Sequence, residues 1–244
     1  RDYSLIYAGT QNGPYRSIDQ GRQWQQLSCP EGQTVWSITF HPHRHEVMYL
    51  GTEEGDIYWS DDSGDSWDYL STITSLEPAV AELPTRVLSL AVDSNNPTHI
   101  YAGLEVGGVA KTTDGGLSWR AINKGLSPIL DRLDVHGVEV SGGHVFISNR
   151  EGIWRSSDQG ESWVSLGFEQ FAHIMYSRGI RVAPDNPSVL YACVGGSFQG
   201  DEGGVLRSTD LGITWSRFDH GPLPNSTTFG LSINAERPKQ VYFC

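Results

Sequence analysis

The sequence predicts an all-β chain, a β-propeller of four-stranded antiparallel blades, with 1–244 as a single domain. Three observations carry this. An eight-residue phrase, Ser/Thr-x-Asp-x-Gly-x-x-Trp, occurs at Ser17–Trp24, Ser60–Trp67, Thr112–Trp119, Ser156–Trp163 and Ser208–Trp215. The Trp-to-Trp intervals are 43, 52, 44 and 52 residues, about the length of one four-stranded blade. Glycine is frequent (28 residues), aromatics are plentiful and Leu-rich helical periodicity is missing, which suits short strands joined by turns.

Within each repeat the elements follow in a fixed order. A first strand, A, alternates apolar with small or polar residues, the period of two expected of a strand. It is written at Val35–Phe40, Val87–Val92, Val135–Val140, Arg178–Val182 and Phe229–Ile233. Turn formers follow, as in Asp93-Ser94-Asn95-Asn96-Pro97. Strand B ends on an aromatic signature such as Tyr7-Ala8-Gly9, Tyr49-Leu50-Gly51 or Tyr101-Ala102-Gly103. Strand C runs into the phrase, and strand D leaves from its Trp. In the phrase, Asp can accept backbone N–H bonds, Gly can turn left-handed and Trp can cover the turn. Asp19, Asp62, Asp114, Asp158 and Asp210 are therefore structural and not acid/base candidates. The count comes to 21 strands. Five closed blades are favoured, with the C-terminal A strand pairing to the N-terminal strands. Six blades, one incomplete, is the alternative, and its open sheet edge would invite self-association.

The phrase resembles the Asp-box, or BNR repeat, of sialidases, xyloglucan-cleaving glycosidases, sortilin-type receptors and a photosystem assembly factor. The resemblance covers nearly the whole chain. It implies a propeller whose site lies on the face opposite these turns, but it spans glycosidases and non-catalytic binding proteins alike. A typical sialidase is disfavoured, because no Arg-Ile-Pro occurs and Leu83-Pro84-Thr85-Arg86 is a poor substitute.

Composition narrows the partners. Net charge is −12, with 29 acids against 17 bases and no Lys/Arg run, which disfavours nucleic acid. No apolar stretch reaches the length of a membrane span, so no membrane partner is expected. The first residue, Arg1, is compatible with a soluble protein exported with its signal removed. Cys29, Cys193 and Cys244 show no metal spacing and read as small strand-end residues.

The lead position of strand A reads Trp36, Leu88, His136, Arg178 and Phe229, with Thr34, Arg86, Asp134, Tyr176 and Thr227 two residues earlier. One sector is thus polar and ionisable. His136, Glu105 and Asp134 are the catalytic candidates, with Glu105 and Asp134 as a conceivable glycosidase acid and base. Arg86, Arg178, Tyr176, Asn149 and His173 are the substrate-binding candidates, the arginines suited to an anionic group. The expected ligand is a small anionic molecule or a carbohydrate; a divalent metal at the channel mouth stays open. The alternative is that these residues pair with one another in a non-catalytic propeller that binds a protein or carbohydrate. Nucleophilic serine chemistry lacks support, since no G-x-S-x-G occurs. Further candidates are an ion pair between Glu139 and Arg181, a metal clip in His41-Pro42-His43-Arg44-His45-Glu46, and a sequon at Asn225. Two long segments, Ser71–Thr85 and Val194–Gly204, are expected as flaps.

Overall fold

Hydrogen-bonded strand pairing reproduces the repeat almost residue for residue. A computed structural model describes residues 4–29, 32–74, 85–126, 128–218 and 224–244. Most of the predicted flap at Ser71–Thr85 lies outside them. The chain falls into two compact units, Arg1–Ala121 and Ile122–Cys244.

The first unit holds three sheets. They are β1 (Ile6–Thr10), β2 (Gly13–Ser17) and β3 (Gln25–Gln26); β4 (Val35–Phe40), β5 (Met48–Thr52), β6 (Asp56–Ser60) and β7 (Asp68–Thr72); and β8 (Arg86–Val92), β9 (Ile100–Glu105), β10 (Gly108–Thr112) and β11 (Arg120–Ala121). The second unit holds β12 (Gly137–Ser141), β13 (His144–Asn149), β14 (Gly152–Ser156) and β15 (Val164–Ser165); β16 (Tyr176–Ala183), β17 (Asn186–Gly195), β18 (Gly203–Ser208) and β19 (Ser216–Arg217); and the pair β20 (Leu231–Ile233) and β21 (Val241–Phe243). All named pairs are antiparallel, and each strand pairs with its neighbour in sequence. The five-blade expectation placed the C-terminal A strand against the N-terminal strands; β20 is paired to β21. A one-turn helix, α1 (Leu130–Leu133), precedes β12, and 3-10 turns occupy Glu53–Gly55 and Glu169–Ile174.

Within each unit neighbouring sheets meet through their apolar faces. Val47, Tyr49, Ile57, Val87, Ile100 and Leu104 form one such core in the first unit. Phe146, Ile153, Ile180, Leu190, Leu206 and Trp215 form its counterpart in the second. Each large side chain buried in this way stabilises by about 1.5–3 kcal/mol before entropy is counted. The aromatic-x-Gly ending of strand B has a steric cause. A Cβ on Gly51 would stand 2.5 Å from Val87 Cγ1, so the next sheet's A strand closes on bare backbone.

All five copies of the phrase share one hydrogen-bond scheme. The first-position hydroxyl donates to the Asp Oδ1 at 2.6–2.9 Å and accepts the Gly N–H at 2.7–3.0 Å. The seventh residue's N–H also reaches that oxygen, at 2.9–3.0 Å. In four copies the seventh residue is Ser or Thr and donates its hydroxyl to Oδ2 as well. Those bonds hold Asp62, Asp114, Asp158 and Asp210 at a pKa of about 2. These aspartates serve the turn.

Candidate functional site

Three A strands carry the same irregularity at their start. The ladder slips by one residue between Val35 and Ser37, between Val87 and Ser89, and between Ser177 and Gly179. The unpaired residues are Trp36, Leu88 and Arg178, which all occupy the lead position read from the sequence. A bulge leaves its residue out of the ladder and re-aims the side chain. The bulges lie at the sheet ends opposite the phrase turns, where the strand B-to-C connections also emerge.

In the first unit, Arg86 opens β8 and is held from two sides. Its Nη1 donates to Glu105 Oε2 at 2.6 Å and its Nε to Glu53 Oε1 at 3.2 Å. Glu105 faces Arg86 directly in the β8–β9 register. The guanidinium lies 5.4 Å from the Trp36 ring centroid, while 45% of Trp36 stays exposed. Beside them opens a groove of about 650 Å³ lined by Gly9, Thr10, Gln11, Asn12, Thr34, Val35, Trp36, Glu53 and Arg86. It pairs one broad aromatic face with several amide, hydroxyl and charged groups.

In the second unit, Asp134, His136, Tyr176 and Arg178 come together. His136 Nδ1 lies 2.7 Å from the Ser177 carbonyl oxygen, which can only accept, so that nitrogen carries the proton. Its Nε2 faces Asp134 Oδ2 at 3.4 Å, and the side chain is only 1% exposed. The Tyr176 ring lies against the imidazole, centroids 5.2 Å apart. Arg150 also reaches Asp134 Oδ2, at 3.4 Å, and binds Asp131 at 2.8 Å. Burial pushes the Asp134 carboxyl up, but His136, Arg150 and Arg178 outweigh it and hold the group below its ordinary value. Asp134 is thus kept ionised, with the buried imidazole of His136 packed beside it.

The remaining candidates have different surroundings. Asn149 is buried and its carboxamide is occupied, donating to the Arg132 carbonyl at 3.0 Å and accepting the Glu151 N–H at 2.9 Å. It clasps α1 to the β13–β14 turn. His173 is exposed on the Glu169–Ile174 turn. Glu139 and Arg181 pair across β12 and β16 at 3.1 Å. The three-histidine segment forms a turn and not a clip: His41 Nδ1 accepts the N–H groups of His43 and Arg44, and His43 Nε2 bonds the Ser94 carbonyl. Among the described residues no group of three or more His, Cys, Asp or Glu side chains is gathered as a metal site. The segment Val194–Gly204, expected as a flap, is tied down: Gly196 N–H meets the Glu202 carbonyl at 3.2 Å, and the Thr227 hydroxyl donates to the Ser197 carbonyl.

The comparisons with known proteins agree with this architecture. A family model described as sortilin, neurotensin receptor 3, matches residues 13–127. A xyloglucanase of Paenibacillus sp is 23% identical over 282 residues, covering 96% of this chain and 27% of the relative. The crystal structure of an ancestral GH74 enzyme superposes with a TM-score of 0.76 at 18% identity, over 97% of this chain and 32% of that one. The GH74 xyloglucanase from Xanthomonas campestris superposes with a TM-score of 0.71 at 19% identity, over 98% and 41%. The chain has a β-propeller fold, similar to sortilin over residues 13–127 and to xyloglucanases over nearly its whole length. This propeller spans about a quarter of the xyloglucanase relative's length (27%). No helix among its described residues is long and apolar enough to cross a membrane.

Proposed function

We propose that this propeller engages carbohydrate as a glycosidase-type module and that the groove over Trp36 seats a neutral sugar. The carrying observation is the exposed Trp36 face beside Thr34, Asn12, Glu53 and Arg86 in one groove. A pyranose presents C–H bonds to an aromatic face and hydroxyls to the polar groups around it, which is the chemistry of a site with one broad apolar wall. Xyloglucan, named for the relatives, is the first substrate to test. For hydrolysis, ionised Asp134 suits the base or nucleophile role, with the His136 imidazole beside it. Calorimetric titration with xyloglucan oligosaccharides tests the binding: Trp36→Ala should weaken it about tenfold or more. Equal affinity in that variant would remove the reading.

A second reading, a binding propeller without turnover, is favoured by the ion pairs of the candidate carboxylates. Glu105 and Glu53 are both bound by Arg86, and Asp134 by Arg150 and His136. Release of reducing ends that is lost in Asp134→Asn supports hydrolysis. Tight binding without release supports the second reading.

A further inference from the structure

We infer that the outer edge of β7 is a docking edge for an extended basic peptide, which adds to the β4–β7 sheet as a further strand; this is independent of the sugar groove. The strands that end the other sheets in the same way, β3, β11, β15 and β19, are two residues long, whereas β7 runs for five, Asp68–Thr72. Among the described residues no hydrogen bond reaches its backbone from outside the β6–β7 ladder. An edge strand leaves every second N–H and C=O pointing outward, and those are the groups that an added strand pairs with.

The strand is anchored on its other side. A bulge takes Leu70 out of the ladder, and its side chain packs on the neighbouring sheet, with Cδ2 2.5 Å from where a Cβ on Gly116 would stand. The Ser71 hydroxyl donates to the Gly116 carbonyl and accepts the Trp119 indole N–H at 3.0 Å. Along the strand the Tyr69 hydroxyl donates to Thr72 Oγ1 at 2.7 Å, and Thr72 donates in turn to Asp56 Oδ1. The edge is therefore ordered before a partner arrives, and less freedom is lost on docking.

Charge selects the partner. Residues 45–85 hold ten of the 29 acids and no Lys or Arg. Asp68 stands on the edge itself, exposed and, among the described residues, without a cation. The chain's own residues 75–84 add Glu77 and Glu82 and no base, so they do not complement this charge. Tyr69, 58% exposed, offers an aromatic ring to one side chain of the incoming strand. A peptide alternating lysine with a β-branched residue meets these demands, because successive side chains of a strand fall on opposite faces.

The test is hydrogen exchange of the whole chain with three synthetic peptides: alternating lysine and valine, the same with glutamate for lysine, and the lysine peptide with proline for valine. The lysine–valine peptide should slow exchange within residues 68–72. The glutamate peptide should not bind, and the proline peptide, equal in charge but short of amide donors, should give no protection there. Asp68→Lys, an exposed change, should weaken the lysine–valine peptide about fivefold or more. Protection that falls elsewhere than residues 68–72, or a proline peptide that binds as tightly as its parent, overturns the docking edge. Equal binding of the glutamate peptide overturns the basic partner.

Discussion

The indole nitrogen of Trp215 donates to the carbonyl of Leu166, 49 residues back along the chain, at 3.0 Å. The same N–H is shared with Gly212 at 3.1 Å. In the first unit Trp119 makes the equivalent link to Ser71 Oγ at 3.0 Å. Trp119 and Trp215 therefore each close their own turn and staple their sheet to the preceding D strand. Among the described residues Trp24 bonds only its own turn, at Gly21, and it is 44% exposed against 5% for Trp215.

That contrast predicts unequal costs. Trp215→Ala should destabilise by about 3–5 kcal/mol, through lost burial and a residual cavity. Trp24→Ala should cost about 1 kcal/mol. Urea denaturation of the two variants checks the difference; equal losses would contradict the stapling role.

Acid should loosen the turns in a defined window. Asp62, Asp114, Asp158 and Asp210 titrate at about 2 when folded, below the usual carboxylate range. Their stabilisation is complete above the unfolded carboxylate pKa and is lost as pH falls from about 4 towards 2. Asp19 is also lowered, by the Gln23 N–H first, but residue 23 offers no hydroxyl. Gln23→Ser should lower the Asp19 pKa further, towards the other four, as read by carboxyl NMR titration.

Backbone conformation supplies a cleaner test. The fourth position of the phrase is left-handed throughout, with φ of 65° at Gln20, 62° at Ser63, 76° at Gly115, 61° at Gln159 and 61° at Leu211. A Cβ on Gly115 would meet nothing within 4 Å, so Gly115→Ala probes conformation alone. It should cost about 1 kcal/mol in thermal or urea unfolding.

His136→Phe tests the positioning of Asp134. It keeps a ring against Tyr176 but removes the donor to the Ser177 carbonyl, a loss of about 1–3 kcal/mol. It also removes the largest influence that lowers the Asp134 pKa, so that pKa should rise. An unchanged Asp134 titration would show that the pair is uncoupled.

The architecture was legible because it is written in period and turn chemistry, each repeated five times. The A, B and C strands and the phrase turns fall where alternation and the Asp-Gly spacing put them. The bulges were not legible: one extra residue at a strand's start leaves the alternation downstream intact, although Trp36 and Arg178 break the otherwise bland pattern there. The one-turn helix α1 is too short for helical periodicity to register. The inward turn of His136 and the occupied carboxamide of Asn149 depend on Ser177, Arg132 and Glu151, partners that no local pattern announces. Chemistry-bearing residue types were found from the sequence; which of them are already engaged needed the structure.

In the proposed binding mode the bulge at Trp36 turns its ring out as a sugar platform. The chain holds eight tryptophans, so a ¹⁵N-indole spectrum resolves the question directly. On titration with a xyloglucan oligosaccharide, the signal that vanishes in Trp36→Phe should shift saturably while the buried Trp163 and Trp215 signals stay in place. A spectrum in which the Trp36 signal does not move at saturating oligosaccharide contradicts the account.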